Sequence, residues 1–358
     1  MVLVAGVDTS TQSTTVEIRD ADGGEVVARA SAPHPVTTPP VSEQDPAAWW
    51  SAFERAWAQV GGPEVAAVAV AGQQHGLVPL DADRRVMRPA LLWNDTRSAP
   101  DAGWLRSQIP DEQWADAVGS VPVAALTIAK LSWLHRSEPD VWERLAHVVL
   151  PHDWMTARLT GALDVGGPLV TDRGDASGTG YWSAASGSYR DDLLAVVDGE
   201  RDWTEVVPRV ATPDEPVGTW VGGTRTVAMS SSSDGMGAGA LVAPGTGDNM
   251  AAALGLALAP GDAVMSIGTS GTVYARSERP THDRSGAVAG FADATGGFLP
   301  LVCTLNGAKV LDAVRRLLGV DHDELDRLAL AAEQGGPPLV PYLDGERVPD
   351  LPDATGRL

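Results

Sequence analysis

The first thirty residues alternate in a way that predicts three strands. Val2 to Val7 is an apolar run of strand length, Asp8 to Thr15 is almost entirely hydroxyl-bearing and short polar residues, and Val16, Ile18 and Val26 resume strand character. Gly23 and Gly24 close a second turn, so the opening reads as a three-stranded meander. A dinucleotide-binding fold or a P-loop enzyme would instead place a helix directly after its first glycine-rich turn. Residues 34–46, rich in Pro, Thr and Ser, read as a loop. Helical spacing begins at Trp49 and lasts to Val60, and Val65 to Ala71 has the pattern of a buried strand. From Asp101 to Val149 apolar residues recur at three and four positions around Trp133 and Trp142, which predicts mainly helix.

Residues 166–189 are rich in Gly and Ser, contain Asp172 and Asp175, and form an irregular segment too long for a simple connection. Val221 to Gly247 is a stretch of Gly, Ser, Thr and Ala that includes the serine run Ser230 to Ser233. The interdomain hinge is placed at its end, because Met250 to Ala259 has a helical pattern and Ala263 to Ser277 reads as a fresh strand pair. The expected organisation is therefore an α/β chain of two domains, 1–246 and 247–358, with a cleft between them. The segment AGVDTSTQSTTV, from Ala5 to Val16, is echoed in MSIGTSGTVY, from Met265 to Tyr274. Two such hairpins, one per domain, would face each other across the cleft.

Composition removes several function classes. With 358 residues and 44% hydrophobic content the chain can bury more than one core. A formal net charge of -21, with Lys130 and Lys309 as the only lysines, disfavours nucleic acid and acidic membrane surfaces as partners. One cysteine, Cys303, rules out an intrachain disulfide and a cysteine-rich metal cage, and fits a buried thiol in a reducing compartment. The N-terminus lacks the pattern of a signal peptide and no apolar run approaches a membrane span, so a cytoplasmic protein is expected.

Three groups of residues could carry chemistry. A turn of Ser, Thr and Gly after a strand gathers backbone amides and hydroxyls that suit phosphate oxygens. The first such turn carries Asp8, which either bonds its own turn or holds Mg²⁺, a cation that prefers one or two carboxylates plus phosphate oxygens. In the second hairpin Gly268 stands in that place. No GxxxxGK[ST] occurs. In GTGDNMAAALG, Gly245 to Gly255, Asp248 or Asn249 is either the N-cap of a helix or, for Asp248, a carboxylate aimed into the cleft and able to take a proton from a sugar hydroxyl. AGQQHG (71–76), WNDTR (93–97) and TDRGDASGTG (171–180) gather amides, carboxylates, an imidazole and a guanidinium among glycines, as a polyol requires. Each has a plainer reading: His75 a satisfied turn histidine, Trp93 core, Asp95 with Arg97 a surface pair. No two histidines lie at metal-ligand spacing with an added acid.

Taken in order, VDTSTQST (7–14), GQQHG (72–76), WND.R (93–97), PHDW (151–154), TDRGDASGTG (171–180), GTGDN (245–249), IGTSGT (267–272) and PYLDGER (341–347) resemble the FGGY carbohydrate kinases, and within them the xylulokinases. The resemblance runs from Val4 to the end of the chain. It implies a ribonuclease H-like, actin-type ATPase fold and transfer of a phosphoryl group from ATP, with Mg²⁺, to D-xylulose. It also implies Asp248 as general base, and Asp8 as the acid that organises Mg²⁺ and phosphates. Gln74 and His75 would contact the sugar, although the first of these positions looks more often like Met in the family; Trp93, Asn94, Asp95 and Asn249 would line the same site. Thr9, Ser10, Thr11 and Gln12 in the first turn, with Gly268, Thr269, Ser270, Gly271 and Thr272 in the second, would meet the nucleotide phosphates. A homodimer is compatible with the resemblance. The family continues beyond PYLDGER with a glycine-rich adenosine motif, so this chain is expected to lack the adenine pocket, to expose apolar surface in its second domain and to turn over slowly if at all. Kinases of ribulose, gluconate or glycerol, and a sugar-binding protein without catalysis, are the competing readings. A chaperone-like or filament-forming ATPase shares the fold class but not the sugar motifs.

Overall fold

A computed structural model describes residues 1–222, 239–268, 270–332, 336, 338–343, 345–349, 351 and 354–356. The serine run 230–233, Thr269 and Asp344 lie outside the described residues. The opening meander is present as three antiparallel strands, Leu3–Thr9, Ser13–Asp20 and Val26–Pro33. On its other side the first strand pairs in parallel with Ala67–Gly72, which pairs in parallel with Leu241–Val242 and, further along, with Thr246–Gly247. An antiparallel meander followed by parallel strands on the edge of its first member is the ribonuclease H-like sheet expected from the sequence.

The pleat decides what each face does. Ala5, Val7, Val16, Ile18, Val68 and Val70 point to one side and are buried, whereas Gly6 and Asp8 point to the other and are exposed. The buried side is covered by helix Pro46–Gln59, which begins at Asp45, whose carboxylate accepts from the Ala47 amide, and turns Trp49, Phe53, Ala56 and Trp57 inward at three- and four-residue spacing. Helix Pro151–Thr160 packs beside it, with Trp154 edge-on to Trp49 at 6.3 Å.

The second meander follows the first in design. Ala263–Ile267, Gly271–Ala275 and Phe298–Thr304 are antiparallel neighbours, and Ala289–Ala292 adds to the far edge of the last. It shares one apolar cluster with the helical region: Phe291, Leu299, Leu301 and Tyr274 pack with Trp114, Ile128, Leu131 and Met250. Arg173 donates to the Asp293 and Gly297 carbonyls at 3.0 and 2.6 Å, tying the 172–180 segment to this sheet; expected to be irregular, that segment opens with the short helix Arg173–Ala176, capped by the Asp172 carboxylate. Away from that contact, Met265, Ile267, Leu311, Leu317 and Leu318 are exposed. Among the described residues no helix is long and apolar enough to cross a membrane.

Lys130 is fully buried in helix Thr127–Ser137, where its ammonium donates to the Ala124 and Ala125 carbonyls. Burial lowers its pKa to about 7, with Asp95 opposing and Arg347 adding to the shift. The unfolded chain thus holds a proton that the folded chain gives up between about pH 7 and the ordinary lysine value, so this residue costs more stability as pH falls through that window. Lys130→Met is therefore expected to gain in melting temperature, relative to the parent, between pH 10 and pH 7, as thermal unfolding at the two pH values would show.

Candidate functional site

Ligands in parallel sheets collect at the carboxyl ends of the strands, and the sequence motifs end there. In register across three adjacent strands lie Asp8, Ala71 and Thr246, followed by Thr9, Gly72 and Gly247. Two strand spacings separate Asp8 from Thr246, about 10 Å. Asp248 and Asp8 thus stand at one edge of one sheet, close enough for the charge of Asp8 to act on Asp248.

Asp248 opens helix Asp248–Gly255, whose N-cap is Gly247. Asp248 is thus the first helical residue and neither it nor Asn249 is the N-cap. Asp248 Oδ1 accepts from the Asn249 amide at 2.8 Å and from Asn249 Nδ2 at 2.9 Å, and among the described residues no group bonds Oδ2. Burial pushes its pKa up to about 7; the Asn249 amide opposes this, and the charges of Asp175 and Asp8 add to it. Asn249 Nδ2 also donates to Gln74 Oε1 at 2.9 Å, which joins the GTGDN and GQQHG segments.

His75 sits in the left-handed region with φ 63, buried against Gly178 and 5.3 Å from the Phe291 ring. Its carbonyl accepts from Thr127 Oγ1 at 3.2 Å and its amide approaches Asp175 Oδ1 at 3.4 Å. Desolvation holds the imidazole neutral, with Arg347 and Lys130 adding to the effect. Around this corner lie buried polar atoms with no hydrogen-bond partner among the described residues: Gln73 Nε2, Gln74 Nε2, His75 Nδ1 and Asn94 Oδ1. Buried polar groups are ordinarily satisfied, so this concentration of unmet donors and acceptors suits a ligand carrying hydroxyls.

The first turn meets this corner. Trp93 Nε1 donates to Thr11 Oγ1 at 2.9 Å, and Thr11 Oγ1 donates to Gln73 Oε1 at 3.2 Å. Ser10 closes the turn onto the Ser13 carbonyl, and Gln12 is exposed at its tip. Thr9 is fully buried, its hydroxyl accepting from Thr14 at 3.2 Å, which keeps it inside the hairpin. Asp95 is not a surface residue: it is 2% exposed, and its carboxylate accepts from Arg97 Nε and Nη2, the Arg97 amide and the Ser42 amide. Those bonds fasten the loop at Ser42 and occupy the oxygens a sugar would need.

Asp8 opens onto a cleft of about 440 Å³ that Thr15, Glu17, Arg29, Arg173, Thr246 and Leu254 also line. Desolvation raises its pKa, opposed by Arg29. Among the described residues no group of three or more His, Cys, Asp or Glu is arranged for a metal ion. In the second hairpin Gly268 donates to the Ser270 carbonyl at 2.8 Å and accepts from Ala308 at 2.7 Å, while Gly271 and Thr272 pair with Thr304 and Cys303. Burial raises the pKa of Tyr274, in that same strand, and the charge of Asp248 adds to the shift.

Two features escaped the sequence reading. Asp172 and Asp175 are buried and turned inward, with Asp172 Oδ2 accepting from Thr246 Oγ1 at 2.6 Å and Asp175 facing His152. The motif PHDW marked His152 without giving it a role.

Residues 3–255 match the FGGY family of carbohydrate kinases, N-terminal domain. The chain is similar to a xylulose kinase of Streptomyces coelicolor, 48% identical over 99% of this chain and 70% of that one. The crystal structure of a xylulose kinase from Bifidobacterium adolescentis superposes with a TM-score of 0.85 at 44% identity, over 99% of this chain and 75% of the other. A gluconate kinase structure from Lactobacillus acidophilus, TM-score 0.86 at 21% identity over 99% and 71% of the two chains, shares the fold.

Proposed function

Because the chain belongs to the FGGY family of carbohydrate kinases, we propose that it transfers the terminal phosphoryl group of ATP to D-xylulose, giving D-xylulose 5-phosphate and ADP. The observation that carries this reading is the chain of contacts Gln74–Asn249–Asp248, which sets a carboxylate with an open oxygen beside buried, unmet polar atoms at the strand ends.

In this reading Gln74, His75, Trp93, Asn94 and Asn249 hold the ketose. Each contributes a directional donor or acceptor, and together they fix one hydroxyl near Asp248. As that hydroxyl attacks phosphorus, the new O–P bond forms, ADP leaves with the electrons of the broken bond, and Asp248 accepts the hydroxyl proton. Asp95 serves by fastening the loop on which Trp93 and Asn94 stand. The amides and hydroxyls of Ser10, Thr11 and Gln12, together with those of Gly268, Thr269, Ser270 and Gly271, receive the phosphates. Mg²⁺ would arrive with the triphosphate, held by Asp8. One cleft-facing carboxylate without a fuller ligand set suits a cation that takes most of its oxygens from phosphate and water, and it would neutralise charge on the transferring group. In this reading the proposed two domains, 1–246 and 247–358, both contribute to one site in a cytoplasmic enzyme, each giving one phosphate turn, with the sugar contacts mostly from the first.

The test is ADP release by the purified chain with a panel of polyols. D-xylulose should give the highest kcat/KM; ribulose, gluconate or glycerol in first place would overturn the substrate assignment. Sugar binding seen by calorimetry without any nucleotide binding would favour the non-catalytic alternative. The same assay bears on the expectation of slow turnover.

A further inference from the structure

His152 stands in the first turn of helix Pro151–Thr160, with no exposed surface. Backbone contacts hold it on two sides. A Cβ added to Gly72 would lie 2.8 Å from the His152 Cβ, and one added to Gly245 would lie 2.9 Å from its Cδ2. Only glycine at both positions leaves room for the imidazole between the strand that ends in GQQHG and the segment that leads to Asp248.

Both ring nitrogens lie near carboxylates. Nδ1 is hydrogen-bonded to Asp175 Oδ2 at 3.0 Å, while Nε2 lies 3.1 Å from Asp153 Oδ1 and 3.6 Å from Asp172 Oδ1 without the alignment of a hydrogen bond. A neutral imidazole has one N–H and one lone pair, so one of its nitrogens would point a lone pair at carboxylate oxygens. The imidazolium keeps the bond to Asp175 and sets a second N–H in the field of Asp153 and Asp172. The carboxylates lead outward to different parts of the site. Asp175 reaches the His75 amide at 3.4 Å, Asp172 accepts from Thr246 two residues before Asp248, and Asp153 accepts from the Leu150 amide at 2.7 Å, which fixes the helix itself.

We propose that His152 is a positioning residue: as an imidazolium it straps the sugar-contacting turn at His75 to the short strand that leads into Asp248. It touches neither substrate. Its effect passes through Asp175 and Asp172, and the proposal rests on the reading of residues 72–76 as sugar-contacting. Burial works against the charge, yet Asp153, Asp175 and Asp172 outweigh it and lift the His152 pKa to about 9. The titratable groups facing the cluster are Asp153 on its own helix, Asp172, Arg173 beside Asp172, Asp175 and Tyr181 on the segment opposite, Tyr189 beyond them and Asp248 across Asp175. Burial pushes both tyrosines well above their usual range, and Asp153 and Asp248 titrate near 7. A transition near pH 9 in this cluster therefore belongs to His152. A histidine raised in this way contributes its full effect below its ordinary pKa and loses it as pH rises through about 9.

Two measurements test this. In ¹⁵N-histidine NMR of the whole chain without ligand, the resonance missing from His152→Asn should be that of a doubly protonated ring at pH 7.5, titrating near 9. A neutral ring at pH 7.5 would overturn the proposal whatever the chain binds. In calorimetry, D-xylulose affinity of the parent should fall about tenfold between pH 8 and pH 10, whereas His152→Asn should bind more weakly than the parent at pH 8 with no further loss. An alkaline limb that persists in the variant would assign it elsewhere and sink the strap. Absence of xylulose binding by the parent at every pH would instead sink the sugar-site reading, with the NMR result still deciding the charge on His152.

Discussion

Asp248→Asn is expected to lower xylulose-dependent ADP formation about a thousandfold while leaving xylulose binding within a few-fold of the parent. The size follows from what a positioned general base contributes, roughly 10² to 10⁴ in rate. The asymmetry follows from geometry. Asparagine keeps an oxygen where Asp248 Oδ1 now accepts from the Asn249 amide and side chain, so the contact through Asn249 to Gln74 survives. Only the capacity to take a proton is removed. The pH dependence gives a second signature. With burial as the leading cause, the Asp248 carboxyl sits at about 7, and a base must be ionised to act. The parent should lose rate about tenfold per unit as pH falls below that value, and the residual rate of the variant should not. A coupled ADP assay from pH 5.5 to 8.5, with calorimetry at pH 8, reads all three quantities. An Asn variant within tenfold of the parent would remove Asp248 from the chemistry.

What was legible beforehand was what local pattern controls. The apolar run Val2 to Val7 and the return of strand character at Val16 and Ile18 located the strand pair Leu3–Thr9 and Ser13–Asp20, and the fresh strand pair expected over Ala263 to Ser277 is present as Ala263–Ile267 and Gly271–Ala275. Helix Asp248–Gly255 is shorter than the pattern over Met250 to Ala259 predicted, because Ala257 takes a left-handed φ of 53 and turns the chain out of the helix. Motifs announced which segments would be irregular and polar, but not which of their atoms would be spent internally. Asp95 and Arg97 looked like a surface pair from a spacing of two; burial came from Glu43 and Ser42, more than fifty positions earlier. His152 was invisible for the same reason. Two of its three carboxylate partners lie 20 and 23 residues downstream, and its flanking glycines come from elsewhere in the chain, Gly72 at the end of a strand and Gly245 just before another. A lysine in a helical pattern likewise gives no sign that Lys130 will be buried on two carbonyls.

The close approach of two motifs yields the second large effect. A methyl group at residue 178 would lie 2.3 Å from His75 Nδ1 and 2.4 Å from Cε1. The imidazole cannot simply swing away, since Phe291 stands behind it at 5.3 Å and the backbone is already held at positive φ by the Thr127 and Asp175 contacts. Overpacking of this kind costs about 1–3 kcal/mol. Gly178→Ala should thus melt several degrees lower and, with the His75 ring displaced, bind D-xylulose roughly tenfold more weakly, the value of one lost hydrogen bond. Lower stability alone would leave affinity intact below the melting range, so the affinity loss identifies the ring. A double-mutant cycle isolates the cause. His75→Ala should weaken binding by itself, and adding Gly178→Ala to it should cost no more affinity, because the ring that the methyl group displaces is gone. Additive losses would mean that Gly178 acts on the sugar by some route other than His75, and the placement of the imidazole in the site would have to be abandoned.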